Sequence, residues 1–160
     1  SPTENPISIF HDPEKYLAEN KSARIAVATS IMRVEGLIDV TISSDSSTVM
    51  AYGTERFAAY EFEDKLAYRY TLPIAIDTTK VARWMDGQHF TFSSAGMQQV
   101  VDFDGNNLYE LVASMPNIGS FYTDDIETMI SFSAGVAESE SAPAEPARLL
   151  ITSLLSQADR

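Results

Sequence analysis

The sequence predicts an α+β fold in which two helices pack on antiparallel sheets, and three observations carry that expectation. Two segments open with helix-start chemistry, His11-Asp12-Pro13-Glu14 and Asp77-Thr78-Thr79. After Gly36, apolar side chains recur at every second position, the period of strands with one buried face. Polar clusters such as Ser43-Ser44-Asp45-Ser46-Ser47 and the pair Asp104-Gly105 separate these runs where hairpins need turns.

Ser8-Ile9-Phe10 reads as a short first strand. Asp12 caps the first helix, Pro13 suits its first turn and Glu14 complements its dipole, so a helix is expected over residues 13–30. Leu17, Ala18, Ile25, Ala26 and Met32 line one side of it, with Lys21, Arg24 and Ala28 beside them. The β-branched run Ile25-Ala26-Val27-Ala28-Thr29 suits a strand equally by propensity. Val40 and Ile42 then share a face, and Val49 to Ala51 begins the returning strand. Ala58, Tyr60 and Phe62 share the next face, and Tyr68, Tyr70 and Leu72 another before Pro73 ends the run. A second helix is expected over residues 78–86, closed by Gly87, with Val81, Trp84 and Met85 as its apolar stripe and Lys80 and Arg83 off it. Phe90 and Phe92, residues 98–103 and residues 107–115 complete the alternating set, with a weaker stretch at Ser120-Phe121-Tyr122.

The body ends near Thr123. Residues 124–146, which include Glu138-Ser139-Glu140-Ser141-Ala142-Pro143, read as an acidic, partly disordered linker. A C-terminal amphipathic helix is expected in 147–160. Its Leu149, Leu150, Ile151, Leu154 and Leu155 are too apolar to stay free, so it should dock on its own body, a second copy or a partner.

At 160 residues the chain is long enough for one full core. No apolar run approaches the roughly 20 residues of a membrane helix, so no membrane partner is expected. Residues 1–6 carry neither the basic start nor the apolar core of a secretory signal, and there is no cysteine, so a reducing cytoplasm is the expected location. The net charge is −12; residues 1–123 hold 9 Lys and Arg against 16 Asp and Glu (−7), and residues 124–160 hold 2 against 7 (−5). Such a surface opposes general coating of nucleic acid, which depends on neutralising phosphates.

Catalysis finds no constellation. His11 and His89 belong to no ligand pair, and neither a phosphate-binding glycine loop nor a nucleophile elbow is present. Glu61-Phe62-Glu63-Asp64 and Asp102-Phe103-Asp104 read as solvated strand-edge acids rather than metal ligands. A non-enzymatic protein with no cofactor and no metal is expected. Trp84 and the seven tyrosines fit core and sheet roles.

The run Thr48-Val49-Met50-Ala51-Tyr52-Gly53-Thr54-Glu55-Arg56-Phe57-Ala58-Ala59-Tyr60 resembles the strand-turn-strand segment of DNA sliding clamps, with Ala51, Arg56, Phe57 and Ala58 at matching positions and Gly53-Thr54-Glu55 standing where that family has Asp-Gly-His. Tyr109-Glu110-Leu111-Val112-Ala113-Ser114-Met115-Pro116 is similar to the closing strand of a clamp domain, and the order of elements is most like the middle domain of the bacterial polymerase III clamp. The resemblance implies a single DNA-clamp-like domain acting in DNA replication or repair as a processivity-type interaction module. Tyr52, Thr54, Arg56 and Phe57 would take peptides of polymerases or repair proteins, and Lys15, Lys21, Arg24, Lys80 and Arg83 would face double-stranded DNA. With room for one domain, the chain would close a ring only as a homo-oligomer. Two plainer readings compete: Phe57 in the core beside a solvated Arg56, and the five cations as ordinary helix-surface charge offset by Asp12, Glu14, Glu19, Asp77 and Asp86. The alternative function is a viral or mobile-element assembly protein that reuses the fold without DNA contact.

Overall fold

The computed structural model describes residues 4–11, 14–15, 18, 28–79, 82–113, 120–123, 127–133 and 147–153. Its strands are β1 (Glu4–Ile9), β2 (Ser30–Glu35), β3 (Asp39–Ile42), β4 (Thr48–Tyr52), β5 (Arg56–Glu61), β6 (Leu66–Thr71), β7 (Arg83–Trp84), β8 (His89–Ser94), β9 (Met97–Asp102), β10 (Tyr109–Ala113), β11 (Phe121–Tyr122), β12 (Thr128–Ser133) and β13 (Arg148–Ser153). They form four antiparallel sheets: I (β1-β2), II (β3-β4-β5-β6), III (β10-β9-β8-β7) and IV (β11-β12-β13). The α+β expectation is therefore corrected to an all-β architecture among the described residues, where only Glu14, Lys15 and Ala18 carry helical backbone.

Sheet II is the middle of the stack, because both of its faces are covered. In β4 and β5, Met50, Tyr52, Phe57 and Ala59 point to one side and meet Phe90, Phe92 and Val101 of sheet III. Val49, Ala51, Ala58 and Tyr60 point to the other and meet Ile9, Met32 and Val34 of sheet I. Ala51 and Ala58 are cross-strand partners, and their small side chains let the hairpin of sheet I approach. Phe57, fully buried, stacks on Tyr70 with ring centroids 5.1 Å apart and touches both Phe90 and Phe92.

Where described, the second expected helix is instead the end of an irregular strap (residues 72–79) and a short strand, with Lys80 and Val81 outside the described residues. Its β-branched start gives little helix propensity, and the Asp77 carboxylate accepts from the Thr79 backbone N–H (3.1 Å) and hydroxyl (2.7 Å), closing a local turn. The strap is pinned where Ile76 N–H donates to Thr54 O and Asp77 N–H donates to Ser93 O, and Leu72, Ile76 and Ala82 join the core between sheets II and III. Arg83 and Trp84 pair with Thr91 and Phe90, so Trp84 packs edge-on against Phe90 and is half-buried rather than lying between helices. Asp86, expected at a helix end, accepts from Gln88 N–H and His89 N–H and turns the chain into β8.

Three further expectations change. Ser30 to Glu35, at the end of the first expected helix, is β2; most of that helix falls outside the described residues. Within the expected linker, Thr128–Ser133 is β12. The expected C-terminal helix is β13 over Arg148–Ser153, paired residue for residue with β12, while residues 154–160 lie outside the described residues. In a strand, Leu149 and Ile151 face one way and Leu150 and Thr152 the other, so the leucine-rich run satisfies a period of two once a partner strand is present.

Two turns explain residue choices. A Cβ at Gly53 would lie 2.5 Å from Glu35 O and 2.9 Å from Gly36 O, so the β4–β5 turn can meet the end of β2 only with glycine there. The β8–β9 hairpin turns on Ala95 (φ 48°) and Gly96 (φ 80°), the paired positive φ that type I′ turns require, and alanine is the strained member.

Phe57→Ala is expected to cost about 3–5 kcal/mol, seen in urea unfolding as a lower midpoint at unchanged slope; a loss below about 1 kcal/mol would remove Phe57 from the core. Ala95→Asn should raise stability by up to about 1 kcal/mol, and an unchanged or lower thermal midpoint would contradict the strain assigned to the turn.

Candidate interaction surface

The corner singled out by the clamp resemblance divides between inside and outside. Tyr52 and Phe57 are core residues, 3% and 0% exposed. Thr54 and Arg56 lie at the surface with Glu35, Gly36 and Glu55 around a shallow cleft of about 400 Å3, and the Arg56 Nε sits 2.9 Å from Glu35 Oε2. The structure thus gathers Thr54 and Arg56 but turns the two aromatic side chains inward, because β5 alternates and Phe57 follows an outward Arg56.

Among the cations expected to face DNA, Lys15 is exposed on helical backbone and Arg83 stands on β7, while Lys21, Arg24 and Lys80 lie outside the described residues. The Arg83 guanidinium lies 5.3 Å from the centre of the Phe121 ring. Beside this contact is a cleft of about 590 Å3 whose walls include Arg83, Trp84, Asp86, Phe121 and Tyr122.

A second cleft, of about 470 Å3, holds His89 between two carboxylates. His89 Nδ1 is 2.5 Å from Asp86 Oδ2, and Nε2 is 3.5 Å from Asp102 Oδ1. Asp102 also accepts from the Asn107 side-chain amide at 2.7 Å, and Asp86 caps two backbone amides, so these carboxylates organise the turns that carry them. No group of three or more His, Asp or Glu among the described residues is arranged to hold a metal ion.

Sheet IV has an unusual distribution of polarity. Its inner side presents Tyr122, Met129 and Ser131 to the outer side of sheet III, where Thr91, Ser93 and Gln98 are buried. The Ser93 and Ser120 hydroxyls both donate to Gln98 Oε1 at 3.3 Å. The Tyr122 hydroxyl lies beside Thr91 and Gln98 without reaching hydrogen-bond geometry to either, and burial pushes its phenol above the ordinary value against the opposing pull of Thr91, Gln98 and Arg83. Its outer side is apolar. Register sets Phe121 opposite Ile130, Ile130 opposite Ile151 and Phe132 opposite Leu149, so all five share one face. Phe121, Leu149 and Ile151 are 48%, 55% and 69% exposed.

Sequence reasoning missed this face, having read residues 124–160 as linker and helix. The signals were Thr128-Met129-Ile130-Ser131-Phe132-Ser133, which alternates, and the β-branched pair Ile151-Thr152 inside the leucine run. Compared with protein-family models and with curated proteins, the chain matches none.

Tyr122 supplies a pH dependence. A phenol whose folded value is raised contributes stability that is complete below the unfolded value of about 10 and is lost as pH rises towards the folded one. Tyr70, raised by burial and then by Asp104 and Asp102, acts in the same direction. Thermal midpoints should therefore fall above about pH 10, and Tyr122→Phe should make that fall shallower without altering the neutral-pH slope; an identical alkaline profile would show that Tyr122 is not buried against sheet III.

Proposed function

We propose that this protein is a non-enzymatic interaction and assembly module that docks through the outer face of sheet IV and does not contact DNA. The observation that carries the reading is that face: Phe121, Leu149 and Ile151 stand exposed together, continuous with half-buried Ile130 and Phe132. Contiguous exposed apolar surface on a folded domain marks a place where another surface sits.

The electrostatics agree. Arg56 is engaged by Glu35 and Arg69 by Glu4, on a chain of net charge −12. Phosphate binding needs several uncompensated cations on one face. A second reading, a replication or repair adaptor that takes polymerase-type peptides, draws on the surface cleft at Thr54 and Arg56; with Tyr52 and Phe57 in the core, that cleft lacks an apolar anchor.

A photo-crosslinking amino acid placed at Ile151 of the full chain should give a product of discrete mass, whereas the same group at Lys65, in the β5–β6 turn, should give none. Duplex DNA titrated into the protein at low salt should leave its fluorescence anisotropy at the free value. No product from position 151, or salt-dependent DNA binding, would overturn the proposal.

A further inference from the structure

We infer that sheet IV is a flap that swings off sheet III as one unit while sheets I to III stay assembled. The inference concerns the inner side of sheet IV and stands independently of what its outer face docks.

Connectivity permits such a motion. Strands β1 to β10 complete sheets I, II and III by Ala113, and every strand of sheet IV follows in the chain. One chain crossing, over residues 114–119, therefore joins the flap to the body, and among the described residues no strand of sheet IV shares a ladder with another sheet. Within sheet IV, β12 and β13 pair through six consecutive residues without a register shift. Undocking thus leaves every described strand ladder intact, and the two states differ by the parting of two surfaces rather than by unfolding.

The contacts to be parted are weak ones. The Ser120 hydroxyl donates to Gln98 Oε1 at 3.3 Å, longer than the roughly 2.5–3.0 Å usual for a hydroxyl donor. Ser93, in the same sheet as Gln98, donates to the same oxygen, so Gln98 keeps a partner when Ser120 leaves. Arg83 of sheet III lies over the Phe121 ring at the exposed end of the seam. Met129 and Val100 are its apolar members, whereas Phe57, Phe90 and Phe92 interlock between sheets II and III.

Closure also buries hydroxyls that it does not satisfy. Among the described residues three buried side-chain polar atoms lack a hydrogen-bond partner in the protein, and two of them, the Tyr122 hydroxyl and Ser131 Oγ, lie on the inner side of sheet IV. A hydroxyl that gives up water and gains no partner opposes the closed state. Opening returns both to water. Apolar side chains at these two positions would hold the seam more tightly, so the residues present set the flap below its attainable affinity for sheet III.

The test uses thiol labelling of the full chain, which contains no cysteine of its own. Ser131→Cys on the flap and Ser93→Cys on the facing side of sheet III should react with a water-soluble maleimide at one common rate, each corrected for its reactivity in the urea-unfolded chain. That rate should exceed the rate of Val101→Cys, buried between sheets II and III, by at least about tenfold, and should depend less steeply on urea. Fast labelling of Ser131→Cys alone would mark fraying of β12 and overturn the flap. Labelling of all three at one slow rate would overturn it as well, since the seam would then open only with the whole molecule. Should either seam variant fail to fold, Ser120→Cys and Thr91→Cys report the same two sides. In the Ser93→Cys background, Tyr122→Phe and Ser131→Ala should each slow labelling by about tenfold; unchanged or quicker labelling in both would overturn the role given to the two hydroxyls.

Discussion

The structure depends on the burial of β4 and β5 from both sides. Most strands of an antiparallel sheet keep one face in water. Here consecutive residues of β4 alternate between two separate cores, with Met50 and Tyr52 in one and Val49 and Ala51 in the other. A slip of one residue in register would exchange alanines for aromatics on both sides at once, so the pairing of Tyr52 with Phe57 and of Ala51 with Ala58 fixes the distance to both neighbouring layers. Sheet I can approach because alanines lie beneath it, and sheet III is held off by Phe57, Phe90 and Phe92.

The strands in the central part of the chain were legible because their alternation is local. Val40 with Ile42, Ala58 with Tyr60, Tyr68 with Tyr70, and Phe90 with Phe92 each announce a face, and each lies in a strand. What alternation does not reveal is a second covering layer; continuous burial of Thr48–Tyr52 reflects sheets distant in sequence. The helix over 78–86 was misread for a related reason. An Asp-Thr-Thr cap and an i, i+3, i+4 stripe are local signals, whereas Arg83 and Trp84 gain their strand partners, Thr91 and Phe90, only across a turn. The leucine run of β13 is the extreme case, since a short apolar stretch fits either period until a neighbouring strand decides.

The candidate surface was less legible than the fold. Thr54 and Arg56 were found at the surface as expected of a turn, but the neighbouring Phe57 could be assigned to a cleft or to the core with equal chemistry, and only the opposing Phe90 and Phe92 decide for the core. The outer face of sheet IV gave a partial signal, the excess of apolar residues at Leu149 to Ile151, which marked the segment as needing cover, although the element that carries it is a strand and not the expected helix.

The layer between sheets III and IV differs in kind from the two inside the stack. Thr91, Ser93, Gln98, Ser120 and Ser131 are buried there, with Met129 and Val100 as the apolar members. Hydrogen-bonded contacts of this type contribute less net free energy than aromatic packing of equal area, because water competes for the same groups. The molecule therefore has a graded cohesion, tight between its inner layers and looser towards sheet IV. A lid held by such a seam is the part that opens first in thermal fluctuation, exposing backbone without disturbing the aromatic interior. The element proposed to meet other molecules is thus also the one whose attachment to its own chain is most easily renegotiated.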